Sequence, residues 1–323
     1  MPLADRAQVL SLLVCPRCGS ALERSEQARR CVSGSCRLAA AGSFPFVGPW
    51  PVLVDFERSI LEREAVEAAP GAALAPGARR RRVSGRLPGR VRAWWKPRNS
   101  VAARNVATLM SLLEGPSALV LVIGGAEMGN GAEALYAGEP TVIAFDVYGS
   151  PLTQFIADAH HIPLRSGSVD AVVIQAVLEH VLDPEQVVRE IRRVLRPAGL
   201  VYAETPFLQQ VHAGPYDFTR YTPSGHRWLF RGFEEIDAGS VAGPGTQMLW
   251  SVDHLARGLL RSGTAGRVAR AAFWWLRLLD RLVPAPFALD DASACFFLGR
   301  RADRELTARE IRAYYRGAQR SGS

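Results

Sequence analysis

Five short apolar runs, rich in β-branched residues, recur between residues 118 and 205: ALVLVI, TVIAFD, QFIAD, DAVVIQ and LVYAET. Helical patterns fill the gaps between and around them. In NSVAARNVATLMSLLE, Asn99 or Ser100 is the expected cap, and Val101, Val106, Leu109, Leu112 and Leu113 fall on one face. In DPEQVVREIRRVL, Asp183 is the expected cap. Strands alternating with helices in this way leave few options. They predict an α/β fold in which parallel strands, joined by helical crossovers, form a sheet covered on both faces. Ligands of such sheets bind at the carboxyl ends of the strands.

The first run leads directly into glycines, in ALVLVIGGAEMGNGAEAL. Gly124, Gly125, Gly129 and Gly131 let the backbone turn sharply and approach a ligand where a Cβ would obstruct it. Amide groups at the following helix start could then meet a carboxylate or phosphate. Asp146 ends the second run, 22 residues after Gly124, where a carboxylate accepts both hydroxyls of a ribose. By itself this arrangement fits a nicotinamide dinucleotide as well as any other nucleoside cofactor.

The next segment discriminates. FIADAHHIPLRSGSVDAVVIQAVLEHVLDPEQVVREIRRVLRPAGLVYAETP resembles the class I S-adenosylmethionine-dependent methyltransferases throughout its length, and the resemblance extends over about residues 99–302. It implies a Rossmann-like seven-stranded sheet, mostly parallel, with S-adenosylmethionine as cofactor. By the same resemblance, Asp158, with Ala159 beside it, meets the adenine, and Gln175 closes the fourth strand. ASACFFLGR becomes the seventh strand, with Cys295 in the core. The chain departs from the family in its first loop. Val122 stands where many relatives carry an acid, and Gly124-Gly125-Ala126 replaces the usual Gly-Cys-Gly. Glu127 is the candidate to take over the cofactor ammonium. The catalytic candidates are His212, Tyr216 and Asp217 in QQVHAGPYDFTRY, after the fifth strand, with Arg220 available to pair with Asp217. His180 is expected to order the turn beneath the cofactor.

Four of the five cysteines form a second, separate constellation, CPRCGSALERSEQARRCVSGSC. Cys15 and Cys18 make a knuckle, and Cys31 with Cys36 can complete a tetrahedral zinc shell. Four protein ligands close the shell, so this Zn2+ is expected to be structural. Disulfides or inert buried thiols are the competing readings. With FPFVGPWPVLVD after them, residues 9–56 resemble the small zinc ribbons that accompany methyltransferases.

Between the two units, APGAALAPGARRRRVSGRLPGR reads as a linker, because Pro and Gly break regular structure and like charges repel. The formal net charge is +8, but ten bases and no acid lie between Ala68 and Leu113, so the rest of the chain carries −2. The expected organisation is a zinc ribbon at 1–56, a charged helix and Arg-rich linker at 57–98, and a methyltransferase domain at 99–323. A helical insert at about 246–283 contains Trp250, Phe273, Trp274 and Trp275 and should form two amphipathic helices. No apolar run reaches the roughly 18 residues of a membrane span, and no secretory leader is evident, so a cytoplasmic protein is expected. The expected function is methyl transfer to a small-molecule, sugar or lipid-linked acceptor. An RNA methyltransferase or a noncatalytic scaffold is the alternative. The Gly- and Pro-rich basic run lacks a regular face of bases and aromatics, which argues against nucleic acid and leaves room for peripheral membrane contact. The oligomeric state is left open.

Overall fold

The computed structural model describes residues 3–24, 28–40, 42–68, 98–115, 117–138 and 140–319. The Arg79–Arg82 run and the Trp94–Trp95 pair lie outside the described residues.

The amino-terminal unit comprises α1 (Arg6–Leu12), β1 (Leu22–Arg24), β2 (Ala28–Cys31), α2 (Arg37–Ala40), β3 (Phe44–Val47) and β4 (Trp50–Leu53). Its tail carries α3 (Arg63–Ala68), so only the second half of the expected charged helix at 56–68 is helical. The second unit opens with α4 (Ser100–Ser111), which Asn99 caps by accepting from the Ala102 N–H. It continues through β5 (Leu119–Ile123), α5 (Glu133–Ala137), β6 (Thr141–Asp146), β7 (Phe155–Ala157) and β8 (Val169–Gln175). Then follow α6 (Pro184–Val194), β9 (Leu195–Pro206), α7 (Pro223–Leu229) and β10 (Phe233–Ala242). Asp183 caps α6 through the Gln186 N–H. After α8 (Pro244–Leu260), α9 (Gly263–Ala272) and α10 (Ala285–Asp290), the chain returns to the sheet as β11 (Ala294–Arg301) and ends on α11 (Ala308–Tyr314).

Among the described residues, the strands of the second unit run in the order β7-β6-β5-β8-β9-β11-β10. The first five are parallel to one another, and β11 is antiparallel to both its neighbours. This is the expected seven-stranded, mostly parallel sheet. Its central strands are buried along their whole length: β5, LVLVI, carries no exposed residue. β-branched and aliphatic side chains on both faces of such a strand explain why it reads as a continuous apolar run.

The sheet does not stop at β7. β4 pairs with β7 in parallel, Val52 opposite Ile156 and Leu53 opposite Ala157, and β3, β2 and β1 follow, giving eleven strands in one sheet. Further ties fasten the unit down. Trp50 donates its indole N–H to the Thr153 carbonyl at 3.0 Å, and Arg165 N–H donates to Leu12. Leu53, Phe44, Cys15 and Cys31 share one buried cluster with Leu121, Phe145 and Phe155. Arg17, inside the first cysteine knuckle, holds the buried Asp55 through two hydrogen bonds of 2.6 and 2.7 Å.

The helical insert departs from expectation in its second half. RVARAAFWWLRLLDRLV is not one helix: α9 ends at Ala272, and a 3-10 stretch spans Trp274–Arg281. The tighter winding brings Asp280 back to the start of α8, where its carboxylate accepts from the Gly245 and Thr246 N–H groups. Leu276 O would lie 2.1 Å from a Cβ on Gly245, so only glycine permits this crossing. The insert packs mainly on itself. Its outer side exposes Leu255, Leu259, Leu260, Val268, Trp275 and Leu282. Among the described residues, no helix is long and apolar enough to cross a membrane.

Candidate functional site

The glycine turn sits at the carboxyl end of β5. Gly124 has φ +73°, and a Cβ there would come within 2.3 Å of Val177. Gly131 has φ +94° and lies against the start of α4, with Asn99 O 2.5 Å from where its Cβ would be. Both positions therefore demand glycine. At Gly129 a Cβ would meet the Gln175 side-chain oxygen at 2.2 Å, which ties the turn to the end of β8. Asn130 accepts from the Asn99 N–H, and Glu127 is exposed at the rim.

Asp146 lies at the end of β6, beside this turn. It accepts from the Ala126 N–H at 3.1 Å and from the Val147 N–H at 2.7 Å. Burial pushes its pKa up to about 6, against those two hydrogen bonds. The neighbouring Asp158 is already engaged on both oxygens. His160 donates to one from its backbone N–H at 2.9 Å and from its ring Nδ1 at 2.6 Å. The Ser59 hydroxyl, from the tail of the amino-terminal unit, donates to the other. Asp158 resists the burial that would raise its pKa and is held below the ordinary value, chiefly by His160. Ala159 is buried on the turn behind it. Gln175 donates to Glu204, a half-buried carboxylate that also accepts from Asn99 and Tyr202.

Beyond β8 the backbone is forced: Ala176 adopts φ +52°, a left-handed conformation uncommon outside glycine and concentrated at functional sites. Immediately after it, the turn Leu178–His180 presents Glu179 and His180. The loop after β9 folds over this turn, with Phe218 N–H donating to the Glu179 carbonyl at 2.8 Å. That loop supplies His212, Tyr216 and Asp217. Arg220 binds both oxygens of Asp217 and also donates to the Gln209 carbonyl, fixing the loop. The Arg220 guanidinium holds Asp217 down at about 2. Asp217 accepts from the His212 N–H at 2.9 Å and lies 3.4 Å from its Nδ1. Tyr216 does not contribute its phenol to this cluster. Its carbonyl accepts from His180 Nδ1 at 2.6 Å, while its side chain is largely exposed.

At the centre of the cluster stands Glu179, whose side chain is 1% exposed and accepts no hydrogen bond from any other described residue. Its Oε1 lies 3.7 Å from Nε2 of His180 and 3.7 Å from Nε2 of His212. Burial pushes Glu179 up to about 8, and burial lowers both histidines. The three ligand atoms lie within 4.8 Å of one another. Sequence reasoning singled out His212 and Asp217, and gave His180 only a structural part. It missed Glu179, Glu204 and Ser59. The signal for Glu179 was a carboxylate directly before a histidine, four residues past the end of a strand.

The four amino-terminal cysteines converge within the first unit. Cys15 Sγ and Cys36 Sγ are 3.9 Å apart, and Cys18 Sγ and Cys31 Sγ 3.4 Å. Thiolates on a tetrahedral ion with bonds of about 2.3 Å stand roughly 3.8 Å apart. The set fits zinc. All five cysteines are free thiols, and Cys295 is buried in β11, as expected of a core residue.

A family model described as a methyltransferase domain matches residues 128–203. An uncharacterized 37.1 kDa protein in transposon TN4556 of Streptomyces fradiae is 45% identical over 51 residues, spanning 16% of this chain and only 15% of that protein. Among solved structures, a putative sarcosine dimethylglycine methyltransferase from Galdieria sulphuraria aligns with a TM-score of 0.42 at 15% identity, covering 64% of this chain and 85% of that one. A SAM-dependent methyltransferase from Archaeoglobus fulgidus aligns at 0.41 and 14%, covering 66% and 98%. The complex between the Haloferax volcanii Trm112 methyltransferase activator and a putative methyltransferase gives 0.41 and 18%, covering 65% and 97%.

Proposed function

We propose that this chain, which carries a methyltransferase domain, transfers the methyl group of S-adenosylmethionine to a hydroxylated small-molecule or lipid-linked acceptor. One observation carries the reading: the glycine turn, Asp146 and the Glu179–His180–His212 cluster converge beyond the carboxyl ends of adjacent parallel strands. On this reading Gly124, Gly125, Gly129 and Gly131 shape the turn around the methionine half of the cofactor. Glu127 pairs with its ammonium, and Asp146 accepts the ribose hydroxyls. Asp158 and Ala159 border the adenine, with Ser59 closing that side, and Gln175 steadies the turn through Gly129.

The three catalytic candidates take different parts. His212 faces the acceptor, Asp217 acts through it as a positioning residue, and Tyr216 serves through its carbonyl. Methyl transfer is an in-line displacement, so holding acceptor and methyl in line supplies much of the rate, roughly 7–11 kcal/mol of barrier. Calorimetry with S-adenosylhomocysteine tests the cradle. Wild type should bind, and Asp146→Ala should bind at least tenfold more weakly. Equal affinity of the two proteins would sink the assignment.

The exposed apolar side of the insert favours an acceptor presented at a lipid surface. Leu259, Leu260 and Leu282 are 74%, 68% and 77% exposed, and Arg261, Arg267 and Arg281 are interspersed in the same segment. An apolar face with arginines suits an anionic bilayer. Residues 1–56 are read as a ribbon built on one structural zinc held by Cys15, Cys18, Cys31 and Cys36, with 57–98 as the connection and 99–323 as the methyltransferase domain. Elemental analysis should then find about one zinc in the ribbon, from the four-thiolate logic.

A further inference from the structure

We propose that Glu179, His180 and His212 bind a divalent transition-metal cation that holds the acceptor oxygen for methylation. This deepens the reading of the cluster as the acceptor end of the site and rests on it.

His180 Nδ1 lies 2.6 Å from the Tyr216 carbonyl, which can only accept, so this nitrogen carries the proton. In the neutral ring, Nε2 is then an acceptor, and it faces Glu179 Oε1 at 3.7 Å. His212 repeats the arrangement. Its Nδ1 turns toward the Asp217 carboxylate, and its Nε2 faces the same Glu179 oxygen, also at 3.7 Å. Three acceptor atoms thus converge, and the buried carboxylate receives no hydrogen bond from any other described residue, its own backbone N–H being the one donor near it. An unpartnered buried carboxylate is costly, and such groups are paired or coordinate a metal.

The surroundings match a metal centre as well. Metal-bound histidines usually donate their other ring N–H to a carbonyl or carboxylate, which sets tautomer and ring orientation. Here the Tyr216 carbonyl accepts from His180, while the Asp217 carboxylate, fixed in turn by Arg220, lies 3.4 Å from His212 Nδ1. Bonds of about 2.0–2.2 Å to nitrogen and oxygen place two ligands of one ion up to roughly 4.3 Å apart. The two 3.7 Å separations fall inside that limit, and all three ligand atoms lie within 4.8 Å of one another. Two imidazoles and one carboxylate suit Mn2+, Fe2+, Co2+ or Zn2+ better than Ca2+ or Mg2+, which prefer all-oxygen sets.

Three protein ligands leave coordination positions open on the side where His212 meets solvent. A hydroxyl of the acceptor bound there gives up its proton to water more readily. Its oxygen then forms the new C–O bond as the S–CH3 bond breaks, and that electron pair stays on sulfur as the thioether. The acceptor class is therefore an alcohol or phenol rather than an amine.

Mn2+ alone is the probe, because hard Mn2+ competes poorly for the thiolates of the ribbon. Electron paramagnetic resonance of the full-length, zinc-loaded protein should report one Mn2+ bound per chain. Glu179→Gln and His212→Ala should each weaken it at least tenfold, while Asp146→Ala leaves it unchanged. His212 is a partly exposed loop side chain, so its removal keeps the test valid if Glu179→Gln fails to fold. Wild type that binds S-adenosylhomocysteine but no Mn2+ would overturn the inference, as would Mn2+ affinity equal in all variants. Mn2+ binding that follows these side chains in a protein that does not bind S-adenosylhomocysteine would uphold the site and refute the cofactor reading instead.

Discussion

The two additions to the central sheet, the cysteine unit at one edge and the helical insert at the other, are attached in opposite ways. The cysteine unit contributes a strand. β4 hydrogen-bonds to β7, and Leu53 is 0% exposed in the same core as Phe145. The insert, by contrast, contributes no strand. α8, α9 and the 3-10 stretch pack mostly against one another, and they carry several exposed aliphatic and aromatic residues. An element that joins the sheet becomes part of the fold's stability, whereas one that only leans on it keeps a free face for a partner.

The largest effect should come from the cysteines. Structural zinc sites carry apparent binding energies of about 10–16 kcal/mol in isolated fingers. Cys18→Ser, or chelation, should therefore lower the melting temperature of the entire chain in one transition. Two separate transitions in calorimetry, with the second unmoved, would break the comparison. Next in size, Leu53→Ala should cost about 2–5 kcal/mol in chemical denaturation, as buried leucines do.

Asp146 lies between the two additions and offers a pH test. Its pKa in the fold, about 6, stands above the ordinary aspartate value. Burial therefore favours the protonated form, so its contribution to stability is complete below about pH 4. That contribution is lost as pH rises through 6. On the proposed ribose role, cofactor binding would run the other way, because accepting ribose hydroxyls needs the carboxylate. Affinity for S-adenosylhomocysteine should fall about tenfold per unit below pH 6. Asp146→Asn should flatten both profiles, and an unchanged affinity slope in that variant would count against the ribose role.

The smallest stability effect is expected in the insert. Leu259→Ser should change stability by no more than about 0.5 kcal/mol, as exposed substitutions do. The same change, combined with Leu260→Ser, should reduce co-sedimentation with phosphatidylserine vesicles. A loss of stability as large as that of Leu53→Ala would erase the distinction between the two regions.

What could be read from the sequence follows the range of the interactions involved. The parallel strands were legible because LVLVI and TVIAFD are buried on both faces and so carry their own signature. The cysteine cluster was legible because its four thiols lie within 22 residues. Pairing of β4 with β7 was not, since four residues of WPVL and three of FIA hold too little pattern to announce a partner about a hundred positions away. The Ser59 contact to Asp158 was hidden for the same reason. Glu179 was visible as a residue, but only tertiary packing buries its carboxylate between two rings. The insert's two helices were legible, but the second was expected to run too far because its periodicity continues past Phe273. The need to return Asp280 to the start of α8 overrides it.

The pairing of β4 with β7 also fixes an order of events during synthesis. The cysteine unit leaves the ribosome first and can gather its thiolates at once, since those contacts are local. Its last strand must wait for residues 155–157, so the sheet edge closes only after the chain has been extended by about a hundred residues. Non-local pairings of this kind are slow to form, because the loop entropy is lost before the contact is gained. Until then an unpaired parallel strand on each side is open to other chains, and a chaperone would find its work there.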